Sequence, residues 1–495
     1  MIPADRAARN DNGQLNTMPD ISKFPRGITS RKLRDNIAPY AVWADPKFIG
    51  GHPHWKYEPG KIFLGALDQQ TIGVSDDRHM MTVAGNRAGK GVSAIIPNLL
   101  EYPGSILAID PKGENARVTR NRRDQGSKNV KQGLGQDVYV LDPFGVSGHP
   151  TSSFNPLAML NPTADTAVDD AALIAEALVI QEEGPGRHFS SAARNFLRGL
   201  ILQVCSDEPP ENRNLLRLRQ LLTLDTEGFK LLLQVMQEND ACGGVVRRTA
   251  NSMAAKAENE RSGVLSTAIE QTDFLDSPAL ARCIAKSDFH LANLKRKPTT
   301  IYLCLPAARM ATHSRWLRII INLAMEAMER EPTKPPHPVL FLMDEFAVLD
   351  HLSSIEKASG QIAGFGVKLW PILQDLTQLK SIYKDRWETF MGNTGLMQFF
   401  GNNDLMTLEY LSKRLGKSTI MQVSQGEISM QQAADGFSGQ SNQPHVTELM
   451  TADEIARFFS RQSNAQILIW PGADPIAIDR VRYYNDPFFT GKFEP

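Results

Sequence analysis

The sequence predicts an α/β fold with a mainly parallel sheet, interrupted by an all-helical domain. Three observations carry this. Short apolar runs recur at 79–83, 105–109, 138–141, 299–305, 339–343 and 367–373, each closed by a small, acidic or otherwise turn-compatible segment. Continuous apolar runs of this length read as strands buried on both faces, the habit of parallel sheets. Several lead into runs with helical spacing, such as Val92 to Leu100 and Ser314 to Glu329, and repeated strand, turn and helix units make sheets with helices on both faces. Between about Asp165 and Ser287 strand-like runs almost vanish, and apolar residues recur at helical spacing in Ala171 to Ile180, Ala192 to Cys205 and Leu215 to Leu222.

The elements can be justified in chain order. Residues 1 to about 40 are polar with scattered Pro and Gly and predict an extended arm. Ala41 to Asp77 contains Lys61 to Leu67 and Thr71 to Val74, short runs broken by Gly and Pro, which predict a β-rich lead-in. Met80 to Val83 is then a strand, followed by Ala84-Gly85-Asn86-Arg87-Ala88-Gly89-Lys90-Gly91 and the helical run from Val92. A Gly-rich turn between strand and helix aims several backbone N–H groups at one point, where the helix N-terminus adds partial positive charge. Lys90 would reach the outer phosphates of a nucleoside triphosphate, and Gly89 lets the backbone approach closely. Gly91 stands where Ser or Thr would offer a hydroxyl to Mg²⁺.

Ser105 to Ile109 ends at Asp110-Pro111-Lys112, and Val138 to Leu141 at Asp142-Pro143. After the helical stretch the α/β pattern resumes at Thr299 to Leu305. Val339 to Met343 is a buried strand closed by Asp344-Glu345. In phosphate-loop enzymes such a strand supplies a metal-binding acid and a base that polarises water, so Asp344 is the Mg²⁺ candidate and Glu345 the base. The bland alternative is an Asp-Glu pair that caps the next helix. Val367 to Leu373 ends at Gln374, an amide placed to hold the attacking water or sense the γ-phosphate; a surface Gln after a strand is its bland alternative. Residues 422 to 445 are rich in Gln, Ser and Gly and read as a flexible loop.

Composition narrows the function. With 495 residues and 42% hydrophobic content, more than one domain is expected. Net charge is −1, so nucleic-acid binding would need a local basic face; the candidates are Arg117, Arg120, Arg122, Arg123, Lys128 and Lys131, and Arg247-Arg248 with Lys256. A solvated surface helix is the alternative for either cluster, and no aromatic residues interleave them as stacking platforms would require. Cys205, Cys242, Cys283 and Cys304 form no CxxC pair and read as reduced thiols of a cytoplasmic protein. No apolar stretch approaches the ~20 residues of a membrane helix, and residues 1–10 lack the shape of a secretory signal.

Several ordered segments resemble the coupling ATPases of type IV secretion and conjugation (TraG, TraD and VirD-type proteins), within the wider FtsK/HerA group of ring translocases. They include AGNRAGKGVSAIIPNLL at 84–100, GSILAIDPKGEN at 104–115, FSSAARNFLRGLIL at 189–202, FLMDEFAVL at 341–349, IAGFGVKLWPILQDLTQL at 362–379 and GNNDLMTLEYLSKRLG at 401–416. The VirD-like branch often carries a loop of this GKG form. The resemblance implies a RecA-like P-loop domain in two parts, 41–164 and 291–495, around an all-α domain at 165–290 that selects cargo. It implies a homo-oligomer, a hexameric ring, that binds ATP and Mg²⁺ and moves DNA, a nucleoprotein of the relaxosome, or effector proteins to a type IV secretion channel. By position, Ala84 to Val92 with Lys90 hold phosphates, Asp344 binds Mg²⁺, Glu345 activates water and Gln374 couples hydrolysis to the neighbouring subunit.

Three departures qualify that picture. The family's usual N-terminal membrane helices are not in this sequence, so a cytoplasmic protein is expected, or one held at the inner face of the inner membrane through a partner. Where some relatives carry a charge-stabilising arginine before the Ala-Gly pair, Gln361-Ile362 precede Ala363-Gly364, which leaves Arg386 or Arg414 as substitutes. Near the C-terminus the family's Arg-Pro appears as Gln443-Pro444-His445. Gly91 and Gln361 favour a second reading, a non-hydrolysing nucleotide-binding platform that docks cargo proteins. Asp344-Glu345 and Gln374 favour the motor, and a metabolic P-loop kinase has no use for Gln374.

Overall fold

The computed structural model describes residues 41–181, 184–425 and 440–495. The arm expected at 1–40 lies outside them. The chain packs as two units, one built from the part ending at Tyr102 together with Trp370–Thr490, the other from Pro103–Leu369 with Gly491–Pro495.

Strands β1 (Ile62–Leu67), β2 (Gln70–Val74) and β3 (His79–Ala84) come from the first stretch. The middle of the chain supplies β4 (Ile106–Asp110), β5 (Asp137–Leu141), β6 (Thr299–Cys304) and β7 (Val339–Met343). The chain returns through β8 (Val367–Leu373) and ends with β9 (Thr394–Phe400), β10 (Lys417–Gln425), β11 (Gln440–Glu448), β12 (Ala465–Ile469) and β13 (Ile476–Asp479). In the first unit the strand order is β2-β1-β13-β12-β9-β3-β8. There β3 runs parallel to both β8 and β9, while the outer strands are antiparallel. In the second unit β7-β4-β6-β5 are all parallel. Every residue of β3, β4, β6, β7, β8 and β9 is buried, the reason all but β9 read as mainly apolar runs rather than alternating ones.

The stretch expected to be helical lies within the second unit. It contains helices Ala167–Leu178, Arg187–Asp207, Leu215–Leu222, Thr226–Glu238, Ala241–Ala255, Glu258–Gln271 and Pro278–Ile284. Asn214, Asp225 and Ser277 cap three of them by accepting backbone N–H bonds. Phe196, Leu200, Met236, Val246 and Met253 are buried among them.

The reading of 422–445 as a flexible loop is corrected where the structure describes it. β10 and β11 pair antiparallel in continuous register from Lys417↔Glu448 to Gln425↔Gln440, and residues 426–439 lie outside the described part. Backbone pairing holds this hairpin, and a composition rich in Gln and Ser carries no sign of it.

Asn98 substitutes for a missing strand. β1 pairs with β2 on one side, Phe63 opposite Gly73, and meets β13 on the other only at Ala66↔Asp479, so no strand reaches the Phe63 peptide groups there. The Asn98 amide, on helix Ile96–Glu101, accepts the Phe63 N–H at 2.8 Å and donates to the Phe63 and Ala94 carbonyls, each at 2.8 Å. Asn98 is fully buried, so Asn98→Leu strands one donor and two acceptors. We expect a loss of about 2–4 kcal/mol in urea unfolding; a loss below about 1 kcal/mol would show that β1 does not depend on this amide.

Candidate functional site

β3 brings the chain to residues 85–91 at a strand tip flanked by two others. Val83 pairs with Leu373 of β8 and Ala84 with Phe400 of β9, so Gln374 and Gly401 are the next residues beyond each neighbour. The Gly85 N–H donates to the Phe400 carbonyl at 3.2 Å. A Cβ on Gly85 would lie 1.9 Å from the Gly401 carbonyl oxygen; backbone rests on backbone, and no side chain fits. The Ala88 N–H closes the turn onto the Gly85 carbonyl at 3.1 Å. Arg87 (φ 56°) and Gly89 (φ 93°) are left-handed and Lys90 is right-handed. Such alternation turns successive N–H groups toward one concavity, an anion-binding nest. Asn86 and Arg87 are exposed, Gly85, Gly89, Lys90, Gly91 and Val92 half-buried, and Ala84 and Ala88 form a buried cluster with Phe400.

The helix expected from Val92 opens with a wide turn at Gly91–Ile95, in which the Ile96 N–H reaches the Gly91 carbonyl, and becomes α-helical over Ile96–Glu101. Pro97 has no N–H to return to Ser93, which breaks the regular ladder at this point. Beside the loop, the Gln374 N–H donates to Gln378 Oε1 at 3.0 Å, and its carbonyl accepts from Asn402 Nδ2 at 3.4 Å. Asn402 is buried, and its Oδ1 has no hydrogen-bond partner, which leaves an acceptor open beside the loop. The sequence reading passed over Asn402, although it stands in a family-like segment.

Arg480, which directly follows β13, was also missed. Its guanidinium donates to the Ala88 carbonyl inside the loop and to the Ser463 carbonyl. It lies 4.7 Å over the Phe400 ring.

The second unit holds the acidic residues. Ile109 pairs with Met343 in parallel register, so Asp110 and Asp344 stand at adjacent strand tips. Asp344 Oδ1 accepts the Glu345 N–H at 3.0 Å, and Glu345 takes the left-handed conformation (φ 53°, ψ 46°), strain of about 1–2 kcal/mol for a residue with a Cβ. Both acids are half-buried. Asp110 is 1% exposed; its Oδ2 accepts the Ala116 N–H at 2.9 Å. Burial pushes its carboxyl up to about 6 against the backbone bonds it accepts, and the charge of Asp344 adds to the rise. The structure thus groups Ala84 to Val92 with Gln374 in one unit and Asp344 with Glu345 in the other.

The basic candidates divide. The string at 117–131 is not one basic face. Arg123 is fully buried and bonds Thr300, Gln136 and the Gly104 carbonyl, and Arg122 is buried against the Gln132 carbonyl. These arginines cross-link strands and loops that would otherwise bury unpaired carbonyls. In the helical stretch Arg247 pairs with Asp240 at 2.5 Å, and Lys256 with Glu260 at 2.5 Å. Arg248 and Lys256 line a cavity of about 470 Å³ with His188, Arg198, Phe196 and Met253. Arg198 Nε is shielded from solvent without a hydrogen-bond partner.

The family model described as type IV secretory system conjugative DNA transfer matches residues 39–494. The chain is 28% identical over 425 residues to protein VirD4 of Rhizobium radiobacter, covering 84% of the chain and 58% of that protein. It is 25% identical over 476 residues to the conjugal transfer protein TraG of Escherichia coli, covering 90% and 71%. It thus spans less than two thirds of the length of the VirD4 relative. Among solved structures, the conjugative coupling protein TrwBdeltaN70 in its unbound monoclinic form superposes with a TM-score of 0.69 at 13% identity, covering 94% of this chain and 96% of that one. TrwB in complex with ADP and Mg²⁺ gives 0.65 at 15% identity, covering 93% and 96%. The likeness confirms the α/β RecA-like fold with its mostly parallel sheet. Among the described residues no helix is long and apolar enough to cross a membrane, and no group of three or more His, Cys, Asp and Glu residues gathers as a metal cluster.

Asp110 makes folding sensitive to pH. Its carboxyl is held above its unfolded value, so the neutral form stabilises the fold at low pH and that contribution is lost as pH rises through about 6. The stability difference between wild type and Asp110→Asn should therefore fall by about 2 kcal/mol between pH 4 and pH 7 and flatten above. A difference that is flat across this range, in chemical unfolding at each pH, would mean that Asp110 does not titrate there.

Proposed function

Because the chain belongs to the type IV secretory conjugative DNA-transfer family, we propose that it is a coupling ATPase that recruits DNA or a nucleoprotein and drives it into a type IV secretion channel. The observation that carries this reading is the loop at 85–91. Gly85 rests on Gly401, left- and right-handed residues alternate, and Lys90 sits at the mouth of the helix. That arrangement suits a polyphosphate: backbone N–H groups cradle the oxygens, and Lys90 adds a charge near the outer phosphates.

In this reading Lys90 and the nest hold the nucleotide, Gln374 is the amide that orients water or senses the γ-phosphate, and Glu345, in the other unit, is the candidate base. Asp344 would hold Mg²⁺; hard carboxylate oxygens at two adjacent strand tips, Asp344 and Asp110, suit such an ion. The bound ion would offset charge on the transferred phosphate. The described complex of TrwB with ADP and Mg²⁺ supports nucleotide with metal as the working form. The strain at Glu345 supports a functional role, since left-handed non-glycine residues gather at such sites. Oligomerisation as a hexameric ring, and cargo selection by the helical stretch, belong to the same proposal.

ATP turnover by purified protein at several concentrations, with and without single-stranded DNA, tests the reading beside Lys90→Ala. Turnover per subunit should rise with concentration and with DNA and vanish in the control. Glu345→Gln should bind nucleotide normally while turnover falls by at least about 10²-fold. Nucleotide binding without turnover in the wild-type protein would instead favour the non-hydrolysing platform, in keeping with the missing hydroxyl at Gly91.

The helical-stretch cavity adds a test of DNA contact. Replacing Arg198 and Arg248 together by Gln should weaken binding of a fluorescent single-stranded oligonucleotide and lower the slope of log affinity against log salt by about 1.4. An unchanged slope would exclude this cavity from the DNA path.

A further inference from the structure

Among the described residues, Arg480 is a buried cation with no anion beside it. Its residue is 7% exposed. The guanidinium spends its donors on the carbonyls of Ala88 and Ser463, with a longer bond of 3.5 Å to the carbonyl of Arg461. Its Nε is shielded without a partner. No carboxylate among the described residues pairs with it, and the other charge acting on it, Arg482, is also positive. Burial first, and that repulsion second, lower its pKa to about 10. Carbonyl dipoles and the Phe400 face, 4.7 Å away, offset part of the cost, but an isolated buried charge is normally neutralised by a partner.

The position of the cation suggests the partner. Arg480 Nη1 lies 3.6 Å from where a Gly89 Cβ would stand, immediately behind the loop whose concavity is shaped for phosphate. Its bond to the Ala88 carbonyl also polarises the Ala88–Gly89 peptide, which strengthens the Gly89 N–H as a donor. We propose that Arg480 is the built-in counter-charge for the phosphates of the bound nucleotide, acting from behind the loop through the Ala88 peptide, so that the arriving polyphosphate neutralises a cation the fold otherwise buries unpaired. This rests on the reading of the loop as a nucleotide site. Arg480 is a positioning residue in this scheme, since it reaches the ligand through the peptide.

A purely structural brace and an electrostatic counter-charge predict opposite results. Titration calorimetry on the full chain with AMP, ADP and a non-hydrolysable ATP analogue, for wild type, Arg480→Gln and Arg480→Lys, separates them. With Gln the affinity loss should grow with the number of phosphates and reach at least about tenfold for the ATP analogue. Lys, which keeps the charge, should recover most of it. Without nucleotide the Gln variant should melt no lower than wild type, and ADP should raise its melting temperature less. An equal loss for all three nucleotides together with a lowered melting temperature without ligand would make Arg480 a brace and overturn the proposal, as would unchanged affinities. A wild-type protein that binds none of the three would overturn the nucleotide-site reading itself, and this inference with it.

Discussion

The loop at 85–91 is positioned by one close approach of two backbones. Gly85 lies against the Gly401 carbonyl with no room for a methyl group, and this fixes the height of the loop over the tips of β8 and β9. The remaining parts follow from it. Gln374 and Asn402 stand at the loop's flank because their strands pair with β3. Beyond the loop, the Val92 carbonyl accepts the Tyr483 N–H at 3.3 Å, so both ends are anchored by backbone bonds from distant parts of the chain. A receptor held in this way loses little conformational freedom when its ligand arrives, which favours affinity and directs donors before they are needed.

The acidic unit follows a different logic. The loop is held by well-satisfied backbone contacts, whereas Glu345 keeps a left-handed backbone and Asp110 a carboxyl buried beside Asp344. Each lowers stability by an amount comparable with a whole side-chain contact. The covering apolar strands tolerate both. β7 and β4 are buried along their full length, and such strands contribute on the order of 1.5–3 kcal/mol per large side chain. Strain and buried charge concentrate at the two strand tips while the strands themselves carry the stability.

Much of this was legible in the sequence, for definite reasons. Parallel strands covered on both faces must be apolar throughout, so β3, β4, β6, β7 and β8 declared themselves as unbroken runs. Glycines at 85 and 89 and the acids at 344 and 345 fell at the ends of such runs, where ligands bind in open α/β sheets. Arg480 was not legible, because its meaning lies in a contact with Ala88, 392 residues away. Arg122 and Arg123 misled in the other direction, since a run of charges reads as solvated and here two of its members are buried among carbonyls. The pairing of β10 with β11 escaped because neither segment shows an apolar run or an apolar alternation.

The unit that holds the 85–91 loop is assembled from two stretches with the whole of 103–369 between them. During synthesis the loop emerges early, yet Gln374, β9, the Gly401 turn and Arg480 arrive only after the whole of 103–369 has been made. A nascent or prematurely ended chain therefore carries the loop sequence without the surface that shapes it. The shape of the 85–91 loop is therefore acquired last, when the second half of its own unit arrives.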